Sequence, residues 1–314
     1  MINILQTSIY IIKTFNNLKN APNAENIRLY VHSVYDRTIN LMLDDQLVAL
    51  QLADSQVSPI SIILPLDERG LRTFKVDPFD PVYIEDSNLL VGKSTISFDS
   101  ILEVYDDYLD GHYAPNFLQE TVLNLILRSK TAGFSTLITS DKVPDDIVLS
   151  YAKGKLDAAE TKCSVLAATT DRNETRERTV LEEMCDSLSG LMGVGIGLTP
   201  GGDDFLTGIL STFSALPYCF NDELVKCLKS KINSKRYNTT EISRTFIDCA
   251  LTNHFSKPIM ELYNSICSTE LTSAEHISEE MTDVLLNAFL DIGHSSGIDT
   301  LTGIWWSMNH LSKI

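Results

Sequence analysis

The spacing of apolar residues changes character part-way along the chain. From Ile27 to about Asp110 the apolar positions alternate or come in short runs. Ile27-Arg-Leu-Tyr-Val-His32 has period two, as a half-buried strand requires. Leu47-Val-Ala-Leu-Gln-Leu52 follows the turn at Asp44-Asp45. Ser61-Ile-Ile-Leu64, Phe74-Lys-Val76, Val82-Tyr-Ile84, Leu89-Leu-Val91 and Thr95-Ile-Ser-Phe98 come next at short intervals, punctuated by Pro59, Pro78, Pro81 and Gly92. Strands this short and this closely spaced predict a small barrel or sandwich.

Beyond Asp110-Gly-His112 the period becomes helical. Phe117, Val122, Leu125 and Ile126 mark one helix face, and Ile147–Ala159 a second helix opening near Pro144. In Thr175–Met192 the residues Val180, Leu181, Met184, Leu188 and Leu191 share a face. Phe205–Ala215, Glu223–Ile232, Glu241–Thr252, Lys257–Cys267, Ser278–Leu290 and Asp299–Leu311 complete the helices, with Thr239 or Thr240 as the cap of the one from Glu241. The prediction is an α+β chain. A β-rich N-terminal domain covers 1–112 and an α-helical domain covers 113–314. Strand–helix alternation of the dinucleotide-binding kind is missing.

Composition narrows the function classes. A formal charge of −17 over 314 residues disfavours nucleic acid and anionic membranes as partners. No apolar run approaches the roughly 18 residues of a membrane span. Met1–Asn20 carries Ile9-Tyr-Ile-Ile12 without a clear cleavage site and is not read as a signal peptide. Six cysteines without Cys-x-x-Cys spacing read as free thiols in a reducing cytoplasm.

The densest chemistry lies in Gly193-Val-Gly-Ile-Gly-Leu-Thr-Pro-Gly-Gly-Asp-Asp-Phe-Leu-Thr-Gly-Ile209, where five glycines fall within ten residues. Glycine permits positive φ and close approach of backbone to a ligand. A glycine-rich loop that enters a helix presents free N–H groups to an anion. Asp203 and Asp204 would repel a bare phosphate but could hold Mg²⁺ beside one. Neither the Walker A spacing nor the dinucleotide fingerprint fits. The design recurs: Gly202-Asp-Asp-Phe-Leu-Thr-Gly-Ile209 and Gly297-Ile-Asp-Thr-Leu-Thr-Gly-Ile304 match at six of eight positions. Gly208 and Gly303 each lie four residues after an aspartate, on the same helix face. Two helices crossing at these glycines would turn Asp204 and Asp299 toward one cavity. Asp is also an ordinary N-cap, so a single copy would be structural. A second polar stretch, His32-Ser-Val-Tyr-Asp-Arg-Thr-Ile-Asn40, offers Ser33, Arg37 and Asn40. Arg37 is either a carboxylate fork or the partner of Asp36 or Asp44 in a solvated turn.

The central motif resembles the signature of the AllH-type family, named for a subunit of oxamate carbamoyltransferase; the family usually has Ser where Gly201 stands. Gly293-His-Ser-Ser-Gly-Ile-Asp-Thr-Leu-Thr-Gly303 resembles its C-terminal signature, His32–Leu41 its N-terminal one, and Ile242-Ser-Arg244 also fits. The resemblance runs from about residue 27 to the end. It implies a subunit that works with other subunits in carbamoyl transfer between carbamoyl phosphate and oxamate, or the reverse from oxalurate, during allantoin breakdown. On that reading Asp203, Asp204, His294 and Asp299 are the candidate catalytic residues. The candidate substrate contacts are Ser33, Arg37, Asn40, Gly195, Gly197, Thr199, Gly201, Gly202, Ser295, Ser296 and Gly297. Mg²⁺ on Asp203, Asp204 and Asp299 is the one cofactor considered. The competing readings are a non-catalytic scaffold or regulatory subunit, and a Mg²⁺-dependent phosphate or nucleotide enzyme.

Overall fold

The computed structural model describes residues 1–21, 28–115, 117–140, 142, 145–168, 174–267 and 277–314. Ile27, Pro144 and His276 lie outside them. The chain forms two compact units. One holds Met1–Tyr108 with His254–Lys257, the other Leu109–Asn253 with Pro258–Ile314.

The first unit is an eight-stranded sheet. Its strands are β1 (Ile2–Ser8), β2 (Leu29–Val34), β3 (Thr38–Leu43), β4 (Gln46–Gln51), β5 (Ser61–Ile63), β6 (Val82–Glu85), β7 (Asn88–Val91) and β8 (Ser94–Tyr105), in spatial order β2-β3-β4-β5-β1-β8-β7-β6. The outer strands approach each other. Tyr30 bridges Pro81, Val31 N–H donates to Asp80 O at 2.8 Å and Phe79 N–H to Val31 O at 2.7 Å, so the sheet curls into a nearly closed barrel. Closure removes the unpaired edges that an open sheet would expose. Inward residues such as Ile4, Val31, Leu41, Leu50, Ile62, Leu89 and Ile96 fill the interior. Helix α1 (Ile9–Lys19) covers it with Ile11 and Phe15, and Phe15 stacks on Phe98.

Two local readings need correction. Phe74-Lys-Val76 is not a strand. Arg72–Phe74 is a 3₁₀ turn that continues the short helix α2 (Glu68–Leu71), and Lys75 has φ of 51°, so Phe74 and Val76 enter the core from irregular backbone. The unassigned start of the chain is β1 followed by α1. β1 lies inside the sheet, antiparallel to β5 and parallel to β8.

The second unit is helical: α3 (Leu118–Ser129), α4 (Thr136–Thr139), α5 (Ile147–Ala168), α6 (Glu174–Ser189), α7 (Gly201–Ala215), α8 (Asp222–Lys235), α9 (Glu241–Leu251), α10 (Lys257–Ile266, its first residue in the other unit), α11 (Glu279–Leu290) and α12 (Ser296–His310). The α5 helix runs nine residues past the expected Ala159, to Ala168. Both α7 and α12 are buried on most faces, with apolar side chains interleaved with glycines and with hydroxyls such as Ser211, Thr212, Thr302 and Ser307 that donate to backbone carbonyls of their own helix.

These two helices cross at the repeated glycines. A methyl group added at Gly208 would lie 2.1 Å from Thr300 O and 3.1 Å from Gly303 Cα, and one added at Gly303 would lie 2.0 Å from Phe205 O. The arrangement is reciprocal. Adding 95 to Phe205, Gly208 and Thr212 gives Thr300, Gly303 and Ser307. One turn further on, Thr212 Oγ1 and Ser307 Oγ meet at 2.7 Å, so a pseudo-two-fold axis passes between the helices.

Substituting Gly303 with Ala is expected to destabilise the fold by about 3 kcal/mol, because backbone atoms on both helices would have to move apart. A denaturant titration checks this. An unchanged midpoint would contradict the close crossing.

Candidate functional site

The crossing brings the first turns of α7 and α12 side by side. Pro200 precedes α7 and Ser295 precedes α12, and neither helix has a side-chain cap. At α7 the Gly202 N–H donates to Val194 O at 2.8 Å and the Asp203 N–H to Pro200 O at 2.9 Å. The loop folds tightly to reach this geometry. Gly193 has φ of 75° and Gly195 has φ of 138°, and a Cβ at Gly195 would lie 2.5 Å from the Gly201 nitrogen. No residue with a side chain fits there without strain. A hydrogen bond of 2.8 Å between Thr199 Oγ1 and Ser296 Oγ ties the two helix starts together.

Asp203 and Asp204 are adjacent in sequence and differ in environment. Asp203 is buried, and both its oxygens accept from the protein: Oδ1 from Gly193 N–H at 2.7 Å, Oδ2 from Ser243 Oγ at 2.7 Å and from Thr239 Oγ1. It fastens the loop to the start of α9, whose cap is Thr240. Burial raises its carboxyl, against the lowering effect of Ser243, Thr239 and Gly193.

Asp204 is half-buried, and its Oδ2 is sealed from solvent without a hydrogen-bond partner. Burial holds this carboxyl well above the usual carboxylate range. The charges of Asp299 and Asp203 push the same way, against hydrogen bonding from Ser296 and Thr199. Asp299 is buried, and its Oδ1 accepts the Phe134 N–H at 2.8 Å. Burial raises it to about 7, opposed by Phe134 and Ser295. Gly133 and Gly201 make room for it, since a Cβ at either would fall 2.6 or 2.7 Å from an Asp299 oxygen. Asp204 and Asp299 are thus a pair of buried acids flanked by Thr199, Ser295 and Ser296.

Of the Mg²⁺ candidates Asp203, Asp204 and Asp299, the first is engaged differently from the other two. Asp203 is committed to three protein donors, and no group of three or more His, Cys, Asp or Glu among the described residues could hold a metal ion. His294 is exposed, just ahead of the α12 start, whereas Gly202 and Gly297 are buried packing positions. Gly197 is exposed in the loop, between Ile196 and Leu198.

The polar stretch of the first unit is a hairpin. Asn40 Nδ2 donates to Ser33 Oγ across β2 and β3 at 3.0 Å, and His32 Nδ1 lies 3.0 Å from the same hydroxyl. Arg37 pairs with neither Asp36 nor Asp44. It reaches Asp54 at 2.6 Å and Glu68 at 3.7 Å beside a surface hollow of about 390 Å³, so its fork is engaged by carboxylates of its own unit.

Sequence reasoning missed three contributors. Phe134 reaches Asp299 through a backbone N–H, which carries no residue signature. Thr239 reads as a candidate helix cap and Ser243 as part of Ile242-Ser-Arg244, yet both hold Asp203.

Two substitutions separate the acids. Asp203→Asn sets an amide against hydroxyl and backbone donors and is expected to destabilise the fold by about 2–4 kcal/mol, read by thermal unfolding. For Asp299 the folded chain keeps a proton that the unfolded chain has released between the ordinary carboxylate value and about 7. Wild-type stability therefore falls as pH rises through that window. Asp299→Asn keeps an acceptor for Phe134 and removes the buried charge. Its stability relative to wild type should improve by on the order of 2 kcal/mol between about pH 5 and about pH 8. A pH-independent difference would contradict the raised Asp299.

No helix among the described residues is long and apolar enough to cross a membrane. No solved structure matches the chain. Residues 4–103 match the model of the AllH family N-terminal domain, and residues 191–308 match that of the oxamate carbamoyltransferase subunit AllH. Together the two matches take in the barrel strands, the glycine loop and both crossing helices, and the chain belongs to the AllH family of oxamate carbamoyltransferase subunits.

Proposed function

We propose that this chain is a substrate-holding subunit of a cytoplasmic carbamoyltransferase. In this reading it acts with other subunits on carbamoyl phosphate and oxamate, or on oxalurate and phosphate in reverse, in purine nitrogen catabolism. The observation that carries the reading is the pair of adjoining helix starts without side-chain caps, with Asp204 and Asp299 in their first turns and within range of each other's charge. Helix starts supply N–H donors and a positive dipole end to an anion. A carboxyl near 7 is matched to proton transfer at neutral pH.

In the forward direction the amide nitrogen of oxamate attacks the carbamoyl carbonyl. The new C–N bond forms, the C–O bond to phosphate breaks, and phosphate leaves with the electron pair. The nitrogen then sheds a proton, which the ionised fraction of Asp299 accepts. Asp204 accepts hydrogen bonds from the carbamoyl N–H groups, and the Ser295 and Ser296 hydroxyls polarise the carbonyl. Holding both reactants in one cleft supplies a further part of the rate.

A second reading has one observation in its favour. Ile196, at the tip of the loop, is 93 % exposed, and Leu198 beside it is also exposed. An apolar tip suits docking onto another subunit.

Carbamoyl transfer by the complex reconstituted with Asp204→Asn/Asp299→Asn decides between them. The catalytic reading expects a loss of about 100-fold or more with assembly intact. Full activity in that variant would remove it. The docking reading expects Ile196→Ser to abolish assembly.

A further inference from the structure

The loop is acidic, and its own residues carry no cation to balance an anionic ligand. The fold brings one beside it. Thr240 Oγ1 donates to Leu198 O at 2.5 Å, and Gly193 packs against the Asn238 carbonyl, so the segment entering α9 lies along the loop. Arg244 is one turn beyond Thr240 on the same face of α9. Helical side chains lean toward the helix N-terminus, which here is the end that touches the loop. The Arg244 guanidinium does so, and lies 5.1 Å from the centre of the Tyr237 ring.

The Arg244 fork is open to a ligand. Its side chain is half-buried, at 20 % exposed, and none of its five N–H donors makes a hydrogen bond among the described residues. Glu241 Oε1, at 3.9 Å, is beyond hydrogen-bonding distance. None of its nitrogens is sealed from solvent, so an incoming anion can reach them. Arg236 also sits 5.1 Å from the same ring, but it donates to Asn233 Oδ1 at 2.7 Å and to the Tyr237 hydroxyl at 3.2 Å. Two cations are thus held at one ring. Asp248 lies 3.6 Å from Arg236, and Arg244 acts on it as well. Arg236 is held by its neighbours, whereas the Arg244 fork has all its donors left for a ligand. Planar guanidinium matches a planar carboxylate or a phosphate face in a way that an ammonium does not.

We propose that Arg244, seated on Tyr237, binds the oxyanion of the substrate beside the glycine loop. This rests on the reading that the loop holds substrate. Carboxylate and phosphate share the recognition chemistry, and the two probes below separate them.

The test is titration calorimetry on the full chain with oxamate and with inorganic phosphate, for wild type, Arg244→Gln, Arg244→Lys and Glu241→Gln, each with its Tm. The expected result is that wild type binds at least one probe, and that Arg244→Gln weakens that probe about tenfold or more at unchanged Tm. Arg244→Lys should restore part of the affinity. Glu241→Gln, which removes the nearest competing carboxylate, should tighten binding. The probe that responds identifies the group bound. Equal affinity in wild type and Arg244→Gln would overturn the assignment and leave the loop reading standing. Failure of wild type to bind either probe would overturn both. If Arg244→Gln lowers the Tm, Glu241→Gln decides, with tighter binding supporting the assignment and unchanged affinity overturning it. Loss of subunit assembly in Arg244→Gln at unchanged anion affinity would place Arg244 in a protein interface and overturn it too.

Discussion

The helical unit depends on one contact, the backbone-to-backbone crossing of α7 and α12 at Gly208 and Gly303. Helices at ordinary separations keep their side chains between them, with axes 8–10 Å apart. Here each glycine lies against a carbonyl of the facing helix, at Thr300 and at Phe205. The contact sets where the first turns lie. Four residues upstream of each glycine stands an acid, and the crossing brings Asp204 and Asp299 within range of each other's charge. Dense packing transmits such a placement rigidly. The site is therefore a consequence of a packing constraint placed one turn away from it.

That placement works against the fold in one respect. Two acids kept from water near one another oppose ionisation, and burial is the largest cause for both. The N-terminal ends of two helices offset part of this by stabilising negative charge in the first turn. Hydroxyls of Thr199, Ser295 and Ser296 and the Phe134 N–H oppose it further without cancelling it, and both carboxyls stay raised. Asp203 shows the alternative outcome. With three donors on its two oxygens, it becomes a fastener between loop and α9, and its chemistry is exhausted in that role. Adjacent aspartates thus take opposite tasks because successive positions on a helix face different directions.

What could be read from the chain follows from the range of the interactions involved. Helix starts and glycine crossings are local features, so the repeated Gly-x-Asp-x-Leu-Thr-Gly-Ile could be recognised as two related helices before any contact was known. The barrel was legible from short alternating runs such as Leu47–Leu52. Its inner strand β1 was not, because pairing with β5 and β8 joins residues far apart along the chain. Phe74 looked like a strand residue because it is apolar. Its place in a 3₁₀ turn depends on what surrounds it in the core. Nothing marked His254–Lys257 as part of the barrel unit. His254 lies 3.1 Å from the buried Asp107, a pairing across almost 150 residues.

The pseudo-two-fold relation also shows how the two halves have diverged. Position 201 corresponds to Ser296 by the same offset of 95. The Ser296 hydroxyl reaches Thr199 and the Asp204 carboxylate. A side chain at 201 would start 2.7 Å from Asp299 Oδ2, the symmetric acid, and 3.1 Å from the Phe134 ring. Gly201 leaves that space to the Asp299 carboxylate and to Phe134. Asp299 takes its hydrogen bonds from Phe134 N–H and Ser295 instead, both outside the α7 half. One acid is therefore served by a hydroxyl across the axis and the other by its own helix start and a backbone amide. Two equivalent positions thereby become two different acids, both raised chiefly by burial and each opposed by a different set of donors.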